Sequence, residues 1–555
     1  MFLSPGPPMP QDIYTQYCAE SSALLHFVRV HPGNTDIIAL FFTPTAMVAL
    51  TLLDAGLIVV FLALVRRLLK PRGSAPLPPG PKGYPVIGNL LDMPQSKEWL
   101  VFASWAEKYG DMVYVTMLSQ PLLILNSLPL ATALLEKKSL IYSDRPVFQM
   151  AGELVGMKHG VTFEHPQNGT RFRDARRMMY RLMGTKAAME RFWPLMELET
   201  SRFLRRVRAK PDDVQAHIRQ TAGAIILKIS HGYEIKEKDD PFVELVNKVL
   251  DEFSQMLRPG AFFVDILPIL KYVPEWFPGT GWKQTAKAWA EDLNRSVDEP
   301  HEFVKQEMAK GTAMPSFTST LMEEDDLTPQ KEFDIKWAAS TIMGGGADTT
   351  VSAIYSFFLA MTLHPEAQRK SQAEIDAVIG NDRLPSIQDR ENLPYVNAVL
   401  KEVMRWNPVA PLGAPHRVIE DDVHDGYFIP KGTIVMANSW KFLHDEQTYK
   451  DPMKFVPERF MGKNPELDPY TATFGYGRRI CPGILLADTS LFISFVMSLS
   501  VFNIEKAVEN GKIIEPEVVY LEGAISHPKP FKCSIKPRSE KAEVLIDAVR
   551  LAGEE

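Results

Sequence analysis

At 555 residues the chain exceeds one ordinary domain, yet no linker divides it after residue 80. A net charge of −7 argues against nucleic-acid binding, and three cysteines (Cys18, Cys481, Cys533) are too few and too scattered for a disulfide framework. The bulk of the chain therefore suits a reducing compartment. Residues 37–65 are nearly all apolar, broken by Pro44 and Asp54, and the stretch from Thr45 to Val65 alone is long enough for one membrane-spanning helix. Arg66, Arg67, Lys70 and Arg72 follow at once, which places that end in the cytosol and makes residues 1–36 lumenal. A cleaved signal peptide is the rival reading, but the positive cluster lies on the wrong side and the apolar run is too far from Met1. Asp54 costs about 2.5 to 3.5 kcal/mol near mid-bilayer, tolerable among so many apolar neighbours. The segment from Pro76 to Pro85 is too rich in Pro and Gly for helix or strand and reads as a stiff extended spacer. The chain thus divides into a lumenal segment (1–36), an anchor (37–70), a proline-rich hinge (71–88) and a large globular unit (89–555).

Within the globular unit, helical spacing runs from Trp99 to a stop at Gly110, and two strands follow, from Asp111 and from Gln120. They begin a small mixed sheet near the hinge. A helix ending at Tyr142 opens a loop with many apolar residues up to Phe163. Thr170 to Arg181 is a basic helix with Phe172 and Arg176 on one face. Asn168-Gly-Thr170 matches a glycosylation sequon but would face the cytosol, out of the transferase's reach. Residues 189–301 are helical with breaks at Pro259-Gly260, Pro274 and Pro278-Gly279, and the apolar stretches at 261–267 and 276–277 suit a lid close to a bilayer. From Trp337 to His364 runs one long apolar helix with three consecutive glycines, Gly344 to Gly346, each costing about 1 kcal/mol relative to Ala. Such a helix has something close to its backbone. Asp348, Thr349 and Thr350 follow in a setting otherwise devoid of charge, and a buried acid there is a functional candidate. Glu402 and Arg405 share a helix face, Val409 to His416 is extended and apolar, and strands 427–429 and 433–437 read as a hairpin about Pro430-Lys-Gly432.

The stretch from Phe474 to Gly483 holds one cysteine, Cys481, among glycines that permit a tight turn. Arg478 and Arg479 beside it, and the helix that begins after Gly483, favour thiolate. A lone thiolate does not build a tetrahedral zinc site but can serve as an axial haem ligand. A buried structural cysteine is the bland alternative.

The ten-residue pattern Phe-x-x-Gly-x-Arg-x-Cys-x-Gly resembles the haem-binding signature of the cytochromes P-450. Three further motifs stand in that family's order: Gly345-Gly-Ala-Asp-Thr-Thr350, Glu402-x-x-Arg405 and Phe455-Val-Pro-Glu-Arg-Phe460. The wording is most similar to fungal members of secondary metabolism, the group that includes O-methylsterigmatocystin oxidoreductase. The resemblance implies a mainly α fold with small β-sheets (α+β) behind an N-terminal transmembrane helix. It implies haem b ligated by Cys481, shielded by Phe474, seated on Gly475 and Gly483, with propionates held by Arg479, Arg176 and His416. Phe172 stands where the family usually has Trp, so one propionate contact is lost and Phe172 only packs. Asp348 and Thr349 would deliver protons in oxygen activation. Glu402, Arg405 and Arg459 would form a structural triad, and Val409, Leu412, Ala524 and Ile525 would line the substrate.

The expected activity is monooxygenation of a hydrophobic small molecule, aromatic or terpenoid. No Gly-x-Gly-x-x-Gly follows a strand, so NADPH would act indirectly, through NADPH-cytochrome P-450 reductase with cytochrome b5 as a further partner. The location implied is the endoplasmic reticulum membrane, single-pass, with the catalytic domain in the cytosol. An isomerase or peroxygenase on the same fold is the nearer rival; a haem sensor or lipid carrier is the farther one.

Overall fold

A computed structural model describes residues 75–548 except Asn168 and Pro259, together with Asp54 and Phe61. The expected lumenal segment and membrane anchor, and the sequon asparagine, lie outside the described residues. The chain divides at Ser74 and Ala75. This moves the expected hinge boundary: from Pro76 onward the proline-rich segment belongs to the globular unit. Its backbone is spoken for there, because Pro76 and Pro79 accept hydrogen bonds from the Phe428 and Tyr114 amides, at 2.7 and 2.8 Å. An added Cβ at Gly80 would run into the Tyr114 carbonyl, so glycine is what lets the segment lie flat on the strand.

In chain order the long helices and main strands are α1 (Glu98–Tyr109), β1 (Met112–Met117), β2 (Gln120–Leu125), α2 (Arg171–Met183), α3 (Trp193–Ala209), α4 (Val214–His231), α5 (Pro241–Met256), α6 (Gly281–Lys310), α7 (Pro329–Leu363), α8 (Pro365–Val378) and α9 (Pro394–Trp406). They continue with β3 (His416–Arg417), β4 (Asp422–His424), β5 (Tyr427–Ile429), β6 (Ile434–Ala437), α10 (Ile484–Val501), β7 (Phe502–Lys506), β8 (Cys533–Pro537) and α11 (Glu540–Asp547). The fold is mainly helical with small sheets, as expected. The principal sheet has the order β1-β2-β6-β3, with β2 and β6 parallel.

The expected hairpin of residues 427–437 does not form. β5 pairs instead with β4, with His424 opposite Tyr427, while β6 crosses to β2 and β3. The turn that decides this is Asp425-Gly426, both at positive φ (48° and 79°). Asp-Gly is the favoured two-residue hairpin turn, whereas Pro430 sets a looser connection.

Helix α7 is the axis of the core. Thr328 caps it by accepting from the Lys331 amide, and Pro329 stands at its first position, so it starts eight residues before the expected Trp337. Thr-Pro was the available signal. Gly346 does what a packing notch does: an added Cβ would sit 2.7 Å from Ile226 Cδ1 on α4. Gly345 differs, for its Cβ would meet nothing within 4 Å and the residue is exposed where the helix around it is buried or half-buried. Thus one glycine admits a neighbouring helix and the next opens a cleft. Helix α10 passes the length and hydropathy requirement for a membrane span among the described residues, but it is core: Phe495 stacks on Phe357 of α7 at 4.0 Å.

Helices α5 and α6 flank the expected lid. Between them the chain forms a short helix, Phe263–Ile266, and a 3₁₀ turn, Pro268–Tyr272, and Phe263, Ile269, Tyr272, Trp276 and Phe277 are exposed. On α5, Glu252 is buried; its carboxyl is pushed up to about 7, by burial first and then by the charge and hydrogen bond of Asp292 on α6. Lys248 pairs with Asp292 at 2.7 Å and offsets this only in part. A carboxyl whose folded value is raised contributes stability that is full below its ordinary 4.5 and is lost as pH rises through about 7. Glu252→Gln should therefore match the parent at pH 5 and exceed it at pH 8 by about 1 kcal/mol, a figure discounted for screening at this partly solvated pair. Thermal midpoints of both proteins across pH check this; a difference that does not change with pH contradicts it.

Candidate active site

The Cys481 loop is built by local backbone geometry. Gly475 and Gly477 take positive φ (74° and 50°), a short 3₁₀ turn spans Gly477–Arg479, and the Cys481 amide donates back to the Phe474 carbonyl at 2.8 Å. At Gly477 a Cβ would lie 2.7 Å from the Leu135 carbonyl, so the loop is pressed against the chain before Tyr142. Phe474 packs on the main core and meets Tyr470 edge-to-face at 5.1 Å.

The electrostatics at sulfur differ from the expectation. Burial pushes the Cys481 thiol up; the Gly483 amide, donating to sulfur, and the charge of Arg176 pull it back. Neither Arg478 nor Arg479 plays that part. Arg478 is exposed, and Arg479 is buried with its guanidinium turned to the carbonyls of Ser143 (2.8 Å), Val161 (3.2 Å) and Glu164. The reason is that Arg479 points back over the loop, whereas Arg176 arrives on α2, four residues after Phe172.

Phe172 does more than pack. The Arg479 guanidinium lies 4.1 Å from its ring centroid, a cation–π contact worth about 1 kcal/mol or more when desolvated. His416 donates from Nδ1 to the Tyr142 carbonyl at 2.7 Å, and burial, with Arg145 and Arg479 alongside, pushes it down to about 3, so it is neutral. Arg145 is a member of the site that the sequence reading passed over. It is buried, donates to Thr162, Ala414 and Pro415 carbonyls, and is pushed down to about 10; Arg479 is pushed down to about 9, by burial and then by Arg145. Its only trace in the sequence was an Arg beside Asp144 in a loop of apolar residues.

The guanidinium groups of Arg145, Arg176 and Arg479 thus lie close to one another, and that of Arg176 acts on the sulfur. The nearby carboxylates are already engaged, Asp144 by Arg417 and His165, and Glu164 by Arg171. Arg176 has no hydrogen bond or ion pair among the described residues beyond its attraction to the Cys481 sulfur. A buried surplus of positive charge is costly alone and calls for an anionic partner. A group with two carboxylates and a metal that takes thiolate meets both requirements, and a haem is such a group.

A second set of residues assembles on α7. Asp348 is buried but not in a charge-free setting, which corrects the expectation. Burial works to raise its carboxyl, but the His527 hydrogen bond and charge and then Arg219 outweigh it, so it is held below the ordinary value. Thr349 donates its hydroxyl proton to the Gly345 carbonyl at 2.7 Å, which leaves its oxygen lone pairs free toward the cleft that Gly345 opens. Val409 packs on the core, and its carbonyl accepts from the Ser526 amide at 2.8 Å, while Ser352 of α7 donates to the Ser526 carbonyl at 2.6 Å. The turn carrying the half-buried Ala524 and Ile525 is therefore pinned to both Val409 and α7. Leu412 is not brought to this group; it packs on the sheet side with Phe102, Val113 and Ile434.

The Cytochrome P450 family profile matches residues 78–535, most of the chain. The chain belongs to the cytochrome P450 family. It is 54% identical over 502 residues, 90% of this chain and 98% of the relative, to Cytochrome P450 monooxygenase 208 of Postia placenta. It is 48% identical over 510 residues, 91% of this chain and 94% of the relative, to Cytochrome P450 monooxygenase claR of Ampulloclitocybe clavipes. A third relative, Cytochrome P450 monooxygenase ppsD of Aspergillus oryzae, is 41% identical over 483 residues, 85% of this chain and 91% of that one. This P450 is accordingly a haem monooxygenase, an oxidoreductase. In its core Arg405 makes a bidentate pair with Glu402 (both 2.8 Å), and Arg459 reaches the same carboxylate at 3.1 Å.

Proposed function

We propose that this P450 inserts one atom of dioxygen into a hydrophobic small molecule of secondary metabolism, aromatic or terpenoid. The observation that carries the reading is Cys481, held three residues before the start of α10 with an amide and a cation acting on its sulfur and a surplus of buried arginine charge behind it. Arg145, Arg176 and Arg479, with neutral His416, would hold the two propionates of haem b, and Cys481 would bind its iron as thiolate. When bound, the haem supplies oxygen activation, with the thiolate favouring O–O cleavage. Asp348 carries protons toward the cleft; Thr349, its own proton committed to Gly345, offers an acceptor that orders a proton donor or water there. Val409 and the turn through Ala524 and Ile525 would face the substrate.

Electrons would come from NADPH through a separate flavoprotein reductase, NADPH-cytochrome P-450 reductase, or through cytochrome b5. The exposed Arg173 and Arg177 of α2, on the helix that brings Arg176 to the sulfur, offer a basic face to an acidic redox partner. A single anchor at 37–70 would hold the enzyme in the endoplasmic reticulum membrane with the catalytic domain in the cytosol. The exposed apolar side chains between α5 and α6 would lie as a lid close to the bilayer.

Thr349→Ala tests the proton assignment. The variant should keep haem, the carbonyl spectrum and substrate binding, because a hydroxyl and a methyl lost from a half-buried side chain vacate little of the core. Product formed per NADPH should fall several-fold, and hydrogen peroxide should rise in proportion. A variant that is less stable but fully coupled would reduce Thr349 to helix packing.

A further inference from the structure

We infer that His527 is the proton-relay residue that supplies Asp348, a role that rests on the reading of Asp348 as the proton carrier. His527 is 8% exposed, and its Nε2 lies 3.0 Å from the Asp348 carboxylate. Its other nitrogen, Nδ1, is buried and has no hydrogen-bond partner among the described residues. Arg219 of α4 holds the same carboxylate from another side, 3.2 Å from Oδ1.

The two partners differ in what they can do. A guanidinium does not give up its proton in any ordinary pH range, so Arg219 anchors the carboxylate and carries nothing. An imidazole has two nitrogens and can take a proton on one while releasing another from the other. With Nε2–H donating to Asp348, the Nδ1 lone pair is the open end of that path. Leaving a buried acceptor unpaired costs about 1–3 kcal/mol, which a purely structural contact would avoid by using an amide or hydroxyl. The open acceptor is suited to water entering the cleft.

The step balances without any added reagent. A hydronium ion from solvent water reaches Nδ1: its O–H bond breaks, an N–H bond forms, water is left and the ring becomes cationic. The Nε2–H bond then breaks as an O–H bond forms on Asp348, the ring returns to neutral as the other tautomer, and the proton on Asp348 is spent in the cleft. The ring is reset when it swings away from Asp348 and water takes the Nδ1 proton while giving one to Nε2, which restores the starting tautomer. Because His527 follows Ser526, which is bonded to Val409 and to Ser352 of α7, the relay sits on the turn expected to touch substrate. Movement of that turn would open or close the proton path.

His527→Gln separates relay from scaffolding, since the amide N–H can still donate to Asp348 but has no second nitrogen to accept. The full-length variant, assayed with reductase, should retain haem, its carbonyl spectrum and substrate affinity. Its turnover should fall about a hundredfold, the low end of the about 10²–10⁴ that positioned proton transfer contributes, and its solvent deuterium isotope effect should rise. A crystal structure of the wild-type holoenzyme should show ordered water within hydrogen-bond distance of Nδ1, a readout that needs no variant to fold. Wild-type turnover and isotope effect in His527→Gln, or an Nδ1 bonded to a protein group with no water, overturns the inference. Asp348→Asn distinguishes the levels: if it is slow while His527→Gln is normal, only the relay falls, and if it is normal the reading of Asp348 falls as well.

Discussion

Cys481→Ala is expected to abolish haem binding and every turnover that depends on it, while leaving the fold in place. The parent enzyme, reduced under carbon monoxide, should show the red-shifted Soret band of a thiolate-ligated haem; the variant should show neither that band nor stoichiometric haem. The loop does not rely on sulfur for its shape. Its turn is set by Gly475 and Gly477 at positive φ and by the backbone bond from Cys481 to the Phe474 carbonyl, which alanine keeps. Little sulfur surface is lost from the core, so the unfolding midpoint of the haem-free proteins should shift by no more than a few degrees. Haem content, carbonyl spectrum and thermal unfolding of the two proteins decide the matter. A normal carbonyl spectrum in the variant would sink the ligand assignment.

The second large effect concerns stability. Glu402 and Arg405 are both 0% exposed. All five guanidinium donors of Arg405 are used: three on the Leu443, Pro452 and Lys454 carbonyls and two on Glu402. Glu402 also accepts from the Val456 amide at 2.7 Å, and Arg459 continues the network to Glu466 at 2.6 Å. Arg405→Ala removes one side of a fully desolvated pair, leaves the Glu402 carboxylate with only Arg459 and the Val456 amide, and strands three carbonyls. The expected loss is about 3–5 kcal/mol, a large part of the about 5–15 kcal/mol that holds an ordinary domain folded. Haem-loaded enzyme should therefore accumulate poorly. Glu402→Leu combined with Arg405→Met should recover part of the loss, because two apolar groups leave no stranded charge. Denaturant unfolding of the three proteins measures this; an Arg405→Ala protein as stable as its parent would show that the pair does not lock the core.

Much of this protein is written in short-range pattern. The helix around Gly344 to Gly346, the strands after Gly110, the basic face of α2 and the cysteine turn all follow from spacing of 3.6 or 2 and from where glycine and proline stand. Those rules act between residues close in the chain, and there the reading and the structure agree. The hairpin forms elsewhere than the spacing about Pro430-Lys-Gly432 suggests, because Asp425-Gly426, five residues earlier, supplies the two positive φ values a tight hairpin needs. The start of α7 was likewise available in Thr328-Pro329.

What the sequence by itself determined is the fold class, the glycine-set turn that carries Cys481 and the placing of Asp348 and Thr349 side by side on α7, since each is a local arrangement of a few residues. What only the tertiary structure decided is which distant groups stand beside them. Arg176, not Arg478 or Arg479, faces the sulfur; Arg145 joins Arg479; and His527 and Arg219 from two separate elements reach Asp348. The charge state of a thiol or a carboxylate is set within a few ångströms by burial and by its neighbours. Those neighbours come from segments far apart in the chain, and periodicity along a sequence carries no information about which of them will meet.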